Sequence, residues 1–247
     1  MFFPRLRRHA KWMFLLLALM FGLGFVGFGV GAGGIGFGDI LRGSGGSSGV
    51  PSVSEAQKRV NENPKDAKAF RDLSTALQTA GQTSGAIDAL QGYIQLKPKD
   101  ADALRELAGL YLAQASAAQQ RAQIAQIRDA YLASSTTVNA SIVLGGSPLI
   151  PDAITNAVST TIEQDLTAAL GDQRQAAASA VATYKRVVAL SPRDPNVQLE
   201  LANAAAQAND TATEIAAFEK FLKLAPNDPS APLVRSQLKK LKASQQG

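Results

Sequence analysis

The sequence predicts an all-α protein, an N-terminal transmembrane helix followed by a solenoid of short helix pairs with one long helical hairpin inserted. Three observations predict it. Residues 12–38 contain no charged side chain. A Pro-x-Asp phrase then recurs at a spacing of 34 residues, interrupted once by 60 more. Finally, the text beyond residue 51 is rich in Ala, Leu and Gln with almost no strand patterning.

The first element is the uncharged segment. Its opening run Trp12-Met-Phe-Leu-Leu-Leu-Ala-Leu-Met-Phe21 is strongly apolar, and roughly 20 such residues at 1.5 Å rise cross a hydrocarbon core. The protein carries a formal charge of +5, and Arg5, Arg7, Arg8 and Lys11 supply four of those units. Residues 39–58 are balanced, with Asp39 and Glu55 against Arg42 and Lys58. By the positive-inside rule, residues 1–11 form a basic cytoplasmic flank, and everything after residue 40 is extracytoplasmic. The alternative is a signal peptide cleaved near Gly31-Ala32-Gly33, which would leave a secreted protein. The body carries a net charge of only +1 without the flank, so it offers no basic stripe for nucleic acid.

Glycines in the outer part of this segment match GxGxxG at Gly22–Gly27 and Gly31–Gly36. A dinucleotide site needs a preceding strand and a following helix, whereas these matches run from a membrane span into residues 39–51, a Gly/Ser linker. The pairs Gly27/Gly31 and Gly29/Gly33 have the spacing of a helix-packing face in a membrane; the other reading is a span whose outer end frays into the linker.

The repeat begins beyond the linker. Pro64-Lys-Asp66-Ala67, Pro98-Lys-Asp100-Ala101, Pro192-Arg-Asp194-Pro195 and Pro226-Asn-Asp228-Pro229 stand 34, 94 and 34 residues apart. Each Pro ends one helix and each Asp caps the next, while Pro195 and Pro229 occupy first-turn positions where no amide donor is lost. This period and phrase resemble the tetratricopeptide repeat (TPR), a helix–turn–helix unit. Over about residues 64–114 and 173–228 the family's signature sites are matched by Phe70, Leu73, Ser74, Leu77, Ala86, Leu90 and Tyr93 in one unit. Leu104, Leu107, Ala108, Tyr111, Ala180, Tyr184 and Val187 match in the interrupted unit. Leu201, Ala202, Ala205, Phe218 and Phe221 match in the last, where Glu214 departs from the usual small residue.

The repeat domain spans residues 52–243. Ser52-x-x-Glu55 opens a lone helix with a capping-box pattern. Residues 229–243 place Val234, Leu238 and Leu241 on one face, as a terminal cap does, with Arg235, Lys239, Lys240 and Lys242 mainly on a solvated one.

The insertion covers about residues 115–174. Ile124, Ile127 and Tyr131, then Ile154, Val158, Ile162 and Leu166, fall at helical spacings, which predicts two long antiparallel arms over about 101–137 and 152–190. Its tip holds Ile142, Val143, Leu144, Leu149 and Ile150 among two Gly and two Pro. These five side chains either fold back on the arms or form an exposed apolar patch that contacts a partner or membrane.

Catalysis is not expected. There is no cysteine, and the one histidine, His9, lies in the basic flank, so Ser-His and Cys-His nucleophiles and zinc sites cannot be assembled in the body. No cofactor and no metal site are expected. Asn139-x-Ser141 and Asn209-x-Thr211 match the glycosylation tripeptide, a frequent chance match.

The resemblance implies a binding module whose concave face receives proteins or peptides. The matching positions are Lys68, Arg71, Thr75 and Gln78, then Asp102, Arg105 and Gly109, then Asn196 and Asn203. In the family's clamp for C-terminal carboxylates Arg71 could stand for one residue, but Thr75, Glu106 and Glu200 depart from the pattern. The expectation is a membrane-anchored, extracytoplasmic scaffold of the cell envelope. Its partners would be envelope or membrane proteins, with lipid contacted through residues 12–38. The alternative is a chaperone-like accessory factor of the protein export machinery.

Overall fold

The computed structural model describes residues 51–139, 143–144, 147–148 and 152–245. The basic flank, the uncharged segment 12–38 and residues 39–50 of the linker lie outside them. Among the described residues no helix is long and apolar enough to cross a membrane. The helices are α1 (Val53–Glu62), α2 (Ala67–Thr79), α3 (Thr83–Leu96), α4 (Ala101–Asn139), α5 (Asp152–Leu190), α6 (Pro195–Gln207), α7 (Thr211–Leu224) and α8 (Ala231–Ser244). Each packs chiefly on its neighbours in sequence, as in a helical solenoid.

Three of the four aspartates cap helices as the spacing predicts; Asp228 does not, because Ser230 is the cap residue of α8. Asp66, Asp100, Asp194 and Asp228 accept the backbone N–H of Lys68, Ala103, Asn196 and Ser230, at 2.8, 3.0, 2.9 and 2.7 Å. The first three bonds satisfy first-turn donors that have no partner within the helix, typically worth about 1 kcal/mol each, whereas the Asp228 bond lies ahead of α8. Pro195 is the first residue of α6. Pro229 is not in the first turn of α8. The Ala231 N–H closes a turn on the Asp228 carbonyl at 2.9 Å before that helix starts, and the early proline is Pro232.

The period also sets where helix pairs turn. Gly81, between α2 and α3, has φ +72°, and Asn209, at the equivalent place between α6 and α7, has φ +56°. Both residue types tolerate this left-handed conformation. The same position in the middle unit is Ala115, a good helix former that would be strained there. It is buried inside α4, and the helix runs on. The result is an arm of two 39-residue helices, α4 and α5, each about 58 Å long at 1.5 Å per residue. The expected limits were 101–137 and 152–190.

Two cores hold the repeats. Ala56, Val60, Leu73, Leu77, Ala86 and Ala89 join α1, α2 and α3. A larger cluster runs from Ile87 and Leu90 through Leu104, Val187, Val197, Leu201 and Phe221 to Val234 of α8. Leu238 and Leu241 pack at its edge, so α8 covers the last repeat. The arm is closed differently. Ala118, Ala122 and Ala125 of α4 and Ala169, Ala176 and Ala177 of α5 are buried, joined by Ile162. Ile124, Ile127 and Tyr131, by contrast, are 50%, 57% and 76% exposed.

At the tip, β1 (Val143–Leu144) and β2 (Ser147–Pro148) pair antiparallel, with Val143 opposite Pro148 and Leu144 opposite Ser147. This short ladder adds strand structure to a chain expected to be wholly helical. Ile142, Leu149 and Ile150 lie outside the described residues.

Candidate functional site

The candidate residues sit on α2, α4 and α6, the first helices of the three units. What they share is a ladder of ion pairs running from each unit to the next. Arg59 of α1 meets Asp72 at 3.5 Å, and Arg71 meets Glu106 at 2.5 Å. Arg105 meets Glu200 at 3.1 Å and Asp194 at 2.8 Å. Arg71 and Arg105 are one period apart, as are Asp72 and Glu106, while Glu200 follows Glu106 by the interrupted period of 94. The next positions in these two series are Leu199 and Val234. There the ladder stops: Val234, on the cap helix α8, is part of the core and Leu199 packs against it.

This ladder explains two departures from the carboxylate clamp. Glu106 and Glu200 are the acids that engage the two arginines, so neither guanidinium is left open for a partner's C-terminus. Burial pulls the Arg105 pKa down, but the hydrogen bond to Asp194 and the charge of Glu200 outweigh it, and the net shift is upward. Arg71 also lies over the Tyr93 ring at 5.6 Å, and its Nη1 is buried without a hydrogen-bond partner. Tyr93 in turn donates its O–H to Asp100 at 2.6 Å. That bond, followed by the Ala103 N–H, holds the Asp100 carboxyl below its ordinary range, and it raises the Tyr93 pKa.

The remaining candidates divide into engaged and open. Gln78 donates to Glu106 at 2.6 Å and to the Ser74 hydroxyl at 3.1 Å, and the Thr75 hydroxyl donates to the Arg71 carbonyl at 3.0 Å. Asn196 gives its backbone N–H to Asp194. Lys68 reaches Asp72 at 2.9 Å but stays largely exposed. The Asp102 side chain is 92% exposed, with only a 3.8 Å approach to Arg105. Asn203 is exposed, and a side chain at Gly109 would meet nothing within 4 Å. Arg59, Lys68, Arg71 and Arg105 meet Asp72, Asp102, Glu106, Asp194 and Glu200, so four cations face five carboxylates and the ladder is acidic by one charge.

On another side, two adjoining clefts of about 370 Å³ each lie between α3 and α5, sharing Gln91 and Tyr111. Gln114, Asp172 and Gln175 from the arm line the second. Sequence reasoning missed this trough, since it depends on how far apart two helices stand over a third. Among the described residues no group of three metal-ligating side chains occurs.

The units share helix ends at Leu96, Leu190 and Leu224 and aspartate caps at Asp66, Asp100 and Asp194, and the two outer units share a left-handed turn at the same repeat position. The described chain has a TPR fold. No family model matches this chain, and no curated protein does. Among solved structures it is similar to a thermophilic TPR protein of Thermus thermophilus, at 18% identity and a TM-score of 0.26 over 77% of this chain and 89% of that one. It is also similar to PilF of Pseudomonas aeruginosa, at 15% identity and 0.26 over 85% and 82%. A third similar structure is MamA of Desulfovibrio magneticus, at 16% and 0.23 over 73% and 97%. At these scores the TPR assignment stands on the chain's own period and caps.

Proposed function

We propose that this protein is a membrane-anchored, extracytoplasmic TPR scaffold of the cell envelope that holds protein partners and performs no chemistry on them. The observation that carries the reading is the division of labour on α2, α4 and α6. The arginine–carboxylate rungs tie the units together, and the open positions Lys68, Asp102, Gly109 and Asn203 flank them. A stiffened face with open polar positions suits binding, because less order has to be imposed when a partner docks. Anchorage and orientation rest on residues 1–38, through their uncharged run and its basic flank.

A photo-crosslinking residue at Asn203 in the full-length protein, within intact membranes, tests the binding reading. A few stoichiometric partners are expected. A translocon plus many unrelated clients would instead support an accessory factor of protein export. Protease added outside sealed cells should remove the repeats and spare the N-terminal basic segment. Repeats that survive until the membrane is ruptured would overturn the orientation.

A further inference from the structure

The arm carries a second heptad seam besides the one that closes it. On α4 the positions buried against α5 are Ala115, Ala118, Ala122 and Ala125, spaced alternately by three and four. On the opposite side of the same helix, Ala113, Ala117, Gln120, Ile124, Ile127 and Tyr131 follow the same alternation, and all six are exposed. An alternating three–four spacing keeps one stripe aligned with a neighbouring helix over several turns. A solvated face has no reason to hold Ile124, Ile127 and Tyr131 in that register.

This seam continues the binding face. At 100° per residue, Asp102, Gly109 and Ala113 lie on the same side of α4 as Gln120, Ile127 and Tyr131, so the open face of the middle repeat extends up the arm. Its charge is one-sided. Arg121 and Arg128 occupy the two flanking positions on one edge, and Gln123 and Ala130 those on the other. Arg128 has no ion pair among the described residues, and Arg121 reaches only Asp172, at 3.0 Å, with both side chains half exposed. An antiparallel second copy would set these arginines against each other and a parallel one would set them against Gln123 and Ala130, so a second copy offers them no carboxylate.

We infer that the outer face of α4 from Ala113 to Tyr131 docks an amphipathic α-helix of a partner protein, with apolar residues at heptad spacing and carboxylates along the edge that meets Arg121 and Arg128. This deepens the protein-binding reading above and rests on it. Ile124 and Ile127 supply the apolar anchor, Gln120 the polar position that sets register, and the arginines the charge selection.

The test uses full-length protein in detergent micelles and two fluorescein-labelled 28-residue synthetic helices. Both carry Leu at the heptad core positions; one has Glu at the flanking positions, the other Lys. By fluorescence anisotropy the Glu helix should bind at least about tenfold more tightly. Ile124→Ser with Ile127→Ser should loosen it by about tenfold or more, with helicity and melting temperature unchanged because both sites are exposed. Arg128→Glu should shrink the preference for Glu over Lys. Equal binding of the two helices, or binding indifferent to Ile124 and Ile127, overturns the inference. So does a dimer in sedimentation that Ile127→Ser dissociates, since a second copy would then be the occupant. The crosslinker at Asn203 separates the two readings. Partners captured there, with no arm-dependent binding of the Glu helix, would sink only the arm; the reverse would sink only the repeat face.

Discussion

The outer repeats and the arm are made from the same helical text but are held together by different means. In the α2–α3 and α6–α7 pairs, a residue in the left-handed conformation turns the chain after one short helix, and large side chains such as Leu77, Leu90, Phe218 and Phe221 fill the space between helices. In the arm, alanine replaces the turn residue, the helices run on, and alanine methyls set their separation. The repeat thus draws its stability from apolar volume, at about 1.5–3 kcal/mol for each large side chain fully buried. The arm draws less that way: Ile162 is buried, but Ile124, Ile127, Tyr131 and Val158 remain on the outside. The lesson is that length and stability come from different positions of one repeat: the turn position decides how far the chain projects, and the core positions decide how firmly it stands.

The largest effect that tests this contrast is truncation of a repeat core residue. Leu104→Ala, at a fully buried site, should cost about 2–5 kcal/mol in urea denaturation. Ile124→Ala on the arm should stay within about 0.5 kcal/mol. Equal losses would mean that the arm's outer face is packed. Next comes overfilling of the close seam. Ala118→Leu should cost about 1–3 kcal/mol, read as hydrogen-exchange protection lost along α4 and α5 beyond the repeats. Unchanged protection would show that the arm has room and is not held by close approach.

A smaller effect tests the turn itself. Gly81→Ala should cost about 1–2 kcal/mol, because an L side chain resists the left-handed conformation, and Ala115→Gly about 1 kcal/mol, because glycine weakens a helix interior. Asn209→Gly should be close to neutral. A neutral Gly81→Ala would remove the turn as the origin of the difference between short and long units.

The smallest effect lies at Glu214, where the other two units bury Ala86 and Ala180 completely. Burial raises the Glu214 pKa, so its penalty is absent below the unfolded carboxyl pKa of about 4.3 and develops as pH rises through the folded value. Glu214→Gln should therefore stabilise by less than about 1 kcal/mol at pH 7, with an advantage that disappears by about pH 4. Asp100 and Asp210 have the opposite sign. Their lowered pKa values, set first by hydrogen bonds from Tyr93 and Thr213, contribute stability above about pH 4 that is lost as pH falls through the folded values. A Glu214→Gln advantage that grows on acidification would reverse the assigned cause.

Most of the architecture was legible because its signals are local. A proline that cannot continue a helix and an aspartate that caps the next one act within three residues of themselves, so the period, three of the four expected caps and the limits of both arms could be read along the chain. At the last phrase the helix starts at Ala231, past Asp228 and Pro229. The two-stranded tip was not, since two residues per strand give no periodicity to read. The candidate face was legible only as positions. Arg71 and Arg105 could be placed on it, but their engagement with Glu106, Asp194 and Glu200 joins residues 35 to 95 apart. The Asp210 cap on Thr213 lacked the Pro-x-Asp phrase that marks the caps at Asp66, Asp100 and Asp194.

By itself, then, the sequence determined where helices start, stop and fail to stop, because steric and hydrogen-bonding rules decide those events within a turn. Only the tertiary structure decided which apolar residues are core and which are surface. A three–four spacing is equally consistent with a seam of alanines and with a stripe of isoleucines on the same helix, and burial goes to whichever side the neighbouring helix can approach. On α4 that was the alanine side, which leaves Ile124, Ile127 and Tyr131 facing outward.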